Sequence, residues 1–191
     1  NFINLKVMDE EVKFILDSTK ESMDASIEHL QKALTKIRAG KASPMMLSTV
    51  MVDYYGSQTP LSQVSNINTP DARTLSVQPW EKNLLTDIET AIMNANLGFN
   101  PMNNGEMVII NVPPLTEERR LQLAKQAKGE AEDAKVSIRS ARQDANKELK
   151  ALDISEDLLK NAEVDVQELT NTYSDRVDAI LDAKEAEIMK V

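Results

Sequence analysis

The chain has no cysteine and a single histidine, His29, among 191 residues. The first absence excludes a disulfide framework, a thiolate metal site and a cysteine nucleophile. The second leaves no histidine cluster for metal binding or acid–base relay, and His29 lies off the apolar seam of its segment, as an exposed surface residue would. Aromatic residues are 4% of the chain against 41% hydrophobic overall, so aliphatic and methionine side chains must fill the core, which helical bundles tolerate better than sandwiches. Glycine is scarce too, at five residues. None of them forms a Gly-rich phosphate loop or a nucleophile elbow. No run of residues approaches a membrane span and no signal-peptide pattern opens the chain, so a soluble cytoplasmic protein with no membrane contact is expected. Residues 1–7 precede Met8, a candidate natural start.

What the chain has is three long helical patterns interrupted once. Val12, Ile15, Leu16, Thr19, Met23, Ile27, Leu30, Leu34 and Ile37 recur at helical spacing and predict a long amphipathic first helix with a narrow seam. Gly40 suits the end of that helix and Pro44 blocks its continuation. All seven prolines then fall between Ser43 and Leu115. In this stretch TVMVDYYG, TLSVQPW and MVIINV read as strands, and LLTDIETAIMNANLG reads as a short helix closed by Gly98. Past Pro113–Pro114, Thr116 is placed to cap a second long helix, Glu117–Lys150, of roughly 50 Å. Ser155 is placed to cap a third, carrying Leu158, Ala162, Val166, Leu169, Tyr173, Val177, Ile180, Leu181 and Ile188 on one side. Narrow seams of this kind are stable only when they meet one another. The expected fold is therefore α+β: a three-helix bundle from residues 1–41 and 115–191, with a small β/α/β domain, residues 42–114, inserted after the first helix. Two linkers carry the chain out and back, with Ala39, Gly40 and Lys41 in one and Pro113 and Pro114 in the other, and together they form a two-stranded hinge.

The charge is unevenly placed. The whole chain has a formal net charge of −9, from 22 basic and 31 acidic residues. Residues 1–41 carry 7 of each, residues 42–116 carry 2 basic and 6 acidic, residues 117–150 carry 9 and 7, and residues 151–191 carry 4 and 11. Wound as a helix, the second long segment places Lys125, Lys128, Lys135, Arg139, Arg142 and Lys150 within an arc of about 100°. Only Glu117 and Glu132 intrude. Glu130, Asp133, Asp144 and Glu148 occupy another arc, and Leu123, Ala127, Ala134, Ile138, Ala141, Ala145 and Leu149 form the buried face between them. A basic ridge on an acidic protein points to an anionic partner of defined shape, since a chain this acidic cannot hold polyanions indiscriminately. The pattern leaves open which surface the acidic third helix presents.

No catalytic or metal-binding constellation is found. Asp175, Asp178 and Asp182 share a helix face but have no histidine or binding loop beside them, and are expected to be solvated. Tyr54, Tyr55 and Trp80 could stack on bases, but at strand ends in a small insert they are expected to be core.

Six separated motifs nevertheless carry a resemblance: LTKIRAGKASP (Leu34–Pro44), VDYYGSQTPL (Val52–Leu61), LGFNP (Leu97–Pro101), VPPLTEERR (Val112–Arg120), KGEAEDAKVSIRSARQDAN (Lys128–Asn146) and ISED (Ile154–Asp157). In this order, over nearly the whole chain, they resemble the ribosome recycling factor family. The resemblance implies a bacterial or organellar protein that binds the post-termination ribosome. With elongation factor G and its GTP hydrolysis, such a protein would separate the subunits and free the mRNA. It implies a bundle lying on large-subunit rRNA, a hinged domain that meets the elongation factor, and a monomer needing no cofactor of its own. The family's ribosome-binding arginines match Arg139 and Arg142, and Lys128 opens the GEAE motif. Arg38 and Lys41 match basic positions at the end of the first helix, and Lys125 and Lys135 complete the ridge. The sequence departs from the family where Gln143 replaces a second arginine and where the break before the third helix is short.

Two other readings fit parts of the sequence. A helical-bundle adaptor or chaperone would bind protein through the acidic surface, and nuclease-insensitive capture would reveal it. An enzyme with its site between insert and bundle is disfavoured by the scarcity of histidine and cysteine.

Overall fold

Phe2–Thr35 form α1 in the computed structural model, which describes the backbone of residues 2–190 and the side chains of residues 8–190. The reading of Met8 as a natural start thus concerns a segment whose side chains lie outside those described. The stripe read from periodicity is the buried one: Val12, Ile15, Met23, Ile27, Leu30, Leu34 and Ile37 are all buried, and Leu16 is half-buried at its edge. Thr19 sits in the same seam because its Oγ1 donates to the Ile15 carbonyl at 2.7 Å, which removes the cost of burying a free hydroxyl.

Glu117–Lys150 form α4 and Glu156–Met189 form α5, each 34 residues long. The Ser155 side chain accepts a hydrogen bond from the Leu158 amide at 3.2 Å and so caps α5 as expected. The seam of α4 is mostly alanine, with Ala127, Ala131, Ala134, Ala141 and Ala145 buried beside Leu123, Ile138 and Leu149. Small side chains let neighbouring helices approach closely, so the larger residues of α1 and α5 fill the space between. Tyr173 of α5, 3% exposed, turns its hydroxyl toward α1. The hydroxyl donates to Asp24 Oδ1 of α1. Arg176 stacks on the Tyr173 ring with its guanidinium carbon 4.9 Å from the centroid and reaches Asp24 at 3.6 Å. Burial, then the hydrogen bond to Asp24, pushes the Tyr173 phenol above its ordinary value of 10.

The chain divides into two compact units, Asn1–Arg38 with Glu117–Val191, and Ala39–Thr116. The smaller unit opens with a single helical turn, Pro44–Leu47, capped by Ser43. A hairpin follows, β1 (Met51–Tyr54) and β2 (Ser57–Pro60). Its turn has positive φ at Tyr55 (51°) and Gly56 (85°), as a tight two-residue hairpin requires. Next come the one-turn helix α2 (Leu61–Val64), β3 (Ser65–Asp71), β4 (Thr74–Pro79), α3 (Leu85–Asn94), β5 (Pro101–Asn103) and β6 (Val108–Asn111). The last four strands form an antiparallel sheet in the order β3-β4-β6-β5. Leu75, Val77, Val108 and Ile110 from the sheet meet Ile88 and Ile92 of α3 in a fully enclosed core.

The expected β/α/β pattern is present, but the unit is richer than that. β2, β3 and β5 are not evident in the sequence because SQTP, SNINTPD and PMN alternate little and carry prolines. β3 and β5 are the edges of their sheet, where Pro70 and Pro101 need not donate to a ladder. The expectation that the strand-end aromatics are core is wrong for two of three. Tyr55 is 75% exposed and Trp80 70% exposed, while Tyr54 is half-buried. For the tyrosines the hydroxyls explain part of this: Tyr54 and Tyr55 both donate to the Glu81 carboxylate, which keeps them at the rim.

Candidate nucleic-acid interface

The ridge read from the sequence is built on α4, whose seam fixes the rotation of the helix and hence the direction of each cation. With Ala127, Ala134, Ala141 and Leu149 buried, Lys125, Lys128, Arg139 and Lys150 are exposed, and Lys135 and Arg142 are half-buried toward α5. The two outlying cations lie elsewhere. Arg38 is exposed just past the end of α1 in the same unit, and Lys41 is exposed in the smaller unit.

The ridge does not stand alone, which corrects the simplest reading of it. α5 runs beside α4 and answers it with acids. Lys128 Nζ lies 3.7 Å from Glu185, Lys135 Nζ 2.6 Å from Asp178, and Lys150 Nζ 3.7 Å from Glu163. Each step along α4 is matched by an equal step back along α5, so the register is a regular antiparallel ladder. The same register sets Arg142 opposite Asn171. There the Arg142 guanidinium donates to Gln167 Oε1 at 3.4 Å, and Gln167 donates in turn to Asn171 at 2.9 Å. Arg142 is therefore the rung of the ladder that meets amides in place of a carboxylate, and its charge is held in position without being neutralised.

Arg139 is oriented from within α4. Its guanidinium reaches Glu132 at 2.5 Å and its Nε donates to the Lys135 carbonyl at 3.3 Å. Glu132, an intruder in the basic arc, thus acts as a brace that points Arg139 along the helix. Exposed ion pairs such as these contribute little to stability, about 0–1 kcal/mol each. Their effect is on where the positive charge is presented.

The acidic partners Glu163 and Glu185 and the amides Gln167 and Asn171 are not among the residues singled out from the sequence. Asp178 pairs with Lys135 where a solvated acid was expected. A signal was available: Lys128, Lys135 and Arg142 recur every seven residues, as do Asn171, Asp178 and Glu185.

The linker residues are also specified locally. Gly40 has φ +79°, and a Cβ there would lie 2.8 Å from Leu115 Cγ, so backbone conformation and space both require glycine. Both ends of the smaller unit fasten to one turn: the Ala42 amide donates to Ala72 O and the Val112 amide to Arg73 O, each at 2.8 Å. Pro113 and Pro114 are exposed and donate no backbone hydrogen bond.

Among the described residues no group of histidine, cysteine or acidic side chains could hold a metal ion, and no helix is long and apolar enough to cross a membrane.

The family model described as ribosome recycling factor matches residues 30–189. A ribosome-recycling factor from Christiangramia forsetii is 70% identical over 182 residues, covering 95% of this chain and all of the relative. A solution structure of the ribosome recycling factor is similar with a TM-score of 0.67 and 34% identity, over 95% of this chain and 98% of the other. Another similar structure is that of the T. thermophilus ribosome recycling factor, described with E. coli elongation factor G bound to the E. coli post-termination complex. It has a TM-score of 0.56 and 40% identity, over 94% of this chain and 99% of the other. With such identity along nearly its full length, the chain belongs to the ribosome recycling factor family.

Proposed function

We propose that the chain, as a monomer, seats its bundle on large-subunit rRNA through the basic face of α4, and that elongation factor G then drives the smaller unit to separate the subunits. The family is one of translation factors that recycle ribosomes after termination, and not of enzymes. The observation that carries the reading of the surface is Arg142, a half-buried arginine whose guanidinium donates to the Gln167 amide on a helix whose other ladder cations face carboxylates. Contacts from arginine and lysine to phosphate position a protein on RNA without reading sequence, and A-form RNA is recognised mainly by shape. A long helix with its cations along one face suits that task. Lys125, Lys128, Lys135 and Arg139 extend the contact, and Arg38 and Lys41 add charge at the end of α1.

The smaller unit suits a protein partner better than RNA, since residues 39–116 carry 3 basic and 6 acidic groups. Ala39, Gly40, Lys41, Pro113 and Pro114 form the hinge in this reading. Gly40 supplies the one backbone conformation that fits beside Leu115, and the prolines keep the return strand extended. GTP hydrolysis belongs to the elongation factor.

Light scattering of post-termination ribosomes mixed with the protein, elongation factor G and GTP tests this function. Subunit separation is the expected result. A variant with one engineered cysteine in each unit should bind ribosomes when oxidised but fail to split them, and reduction should restore splitting. Splitting at the normal rate by the oxidised form would remove hinge motion from the mechanism.

A further inference from the structure

The ladder between α4 and α5 sets acids against the basic face. Its three ion pairs join exposed or half-exposed groups. Side-chain exposures are 67% and 28% for Lys128 and Glu185, 31% and 53% for Lys135 and Asp178, and 65% and 32% for Lys150 and Glu163. Pairs of this kind stabilise a fold by little, and at 3.7 Å two of the three are too long to be hydrogen bonds. They do, however, set a carboxylate against each lysine that would otherwise be free for phosphate.

We propose that Glu163, Asp178 and Glu185 are specificity-determining residues: they occupy Lys150, Lys135 and Lys128 in the free protein, so that the basic face refuses RNA in general and opens only to phosphates aligned along α4. This inference rests on the reading that α4 meets rRNA. A single phosphate approaching one lysine must compete with a carboxylate within 4 Å, gains one contact, and meets the repulsion of the remaining acids. Phosphates held in a line along about 33 Å of helix, the span from Lys128 to Lys150, displace all three carboxylates together and gain the counterion release of every contact. Arg142 needs no such opening, because its partner is the Gln167 amide, and it provides the first contact from which the lysines are recruited. Negative charge placed on α5 thus gives discrimination on α4, by penalising every ligand that cannot satisfy several cations at once.

The test compares two variants of equal net charge. Glu163→Gln, Asp178→Asn and Glu185→Gln together remove the ladder acids. Asp17→Asn, Asp165→Asn and Glu168→Gln together remove three exposed acids outside it. Binding to a short RNA duplex is measured by fluorescence anisotropy over a range of salt concentrations, with helicity checked by circular dichroism. The ladder variant should bind on the order of tenfold more tightly at low salt, with a log–log salt slope steeper by about 2.7, as three freed lysines require. The control variant should gain less than about twofold, the effect of net charge alone. No gain by the ladder variant, or an equal gain by the control, overturns the proposal. If the triple variant loses helicity, Asp178→Asn against Asp165→Asn makes the same comparison at the shortest pair. Ribosome binding by Arg142→Ala is measured alongside. A loss there with no gain in the ladder variant overturns the guarding role only, whereas no loss there overturns the reading of α4 itself.

Discussion

α4 and α5 have the same length, 34 residues, and each buries one seam in the same bundle, yet their charges are opposite. α4 has 9 basic and 7 acidic residues; α5 has 3 and 10. The difference separates two kinds of information in one fold. The seams decide that the helices pack and in what rotation. The charged faces then decide what the packed object attracts, and here each helix limits the other, because the acids of α5 lie against the lysines of α4.

Breaking the shared part should cost most. Ile138 is fully buried in the α4 seam, and Ile138→Ala should destabilise the bundle by about 2–5 kcal/mol in denaturant unfolding. It should leave ribosome affinity unchanged wherever the variant is folded, because the charged face is untouched. A substitution on that face should show the opposite split. Arg139→Ala removes a guanidinium that is half exposed and already shared with Glu132, so ribosome affinity should fall by roughly 1 kcal/mol or somewhat more. Thermal unfolding should hardly move. Salt sharpens the comparison further: ribosome binding should weaken as ionic strength rises, since cationic contacts release counterions, while unfolding of the bundle should respond only weakly. Salt-insensitive binding would remove the electrostatic account.

The smallest effect expected concerns the one ionisable group in the α5 seam. Tyr173 has its phenol raised above 10 by burial and by Asp24. A group whose folded value is raised contributes stability that is fully present below its unfolded value and is lost as pH rises through the folded one. The bundle should therefore lose stability above about pH 10, and Tyr173→Phe should flatten that loss. Urea midpoints between pH 8 and 11 would show it.

How much of this was legible in the sequence follows from the same division. The seams were, because a 3.6-residue period shows which residues share a face whatever they pack against: every seam residue named on α4 is buried. The Ser155 cap was legible because its chemistry is local, whereas α1 ends at Thr35, before the Gly40 expected to close it. The short strands SQTP, SNINTPD and PMN were not, since edge strands in a small sheet need little alternation and tolerate proline. The exposure of Trp80 and Tyr55 was not legible either, because hydrophobicity alone does not tell a core aromatic from a surface one such as Tyr55, whose hydroxyl donates to Glu81. On the candidate site, the ridge was visible as a face of one helix. The pairing of three of its lysines with α5 was not, because Lys135 and Asp178, for example, are 43 residues apart in sequence and meet at 2.6 Å only once the helices are in register.

The central claim is that the cations of α4, and not those of α5, hold the ribosome. The most direct test measures the ribosome affinity of Arg142→Ala beside Arg176→Ala, an arginine of α5 that stacks on Tyr173 and reaches Asp24. Loss of a charge-assisted phosphate contact costs about 1.5–3 kcal/mol, so Arg142→Ala should bind roughly 10-fold to more than 100-fold more weakly with its helicity intact, and Arg176→Ala should bind like the parent. Equal affinities for Arg142→Ala and the parent, or a greater loss in Arg176→Ala, would contradict the account.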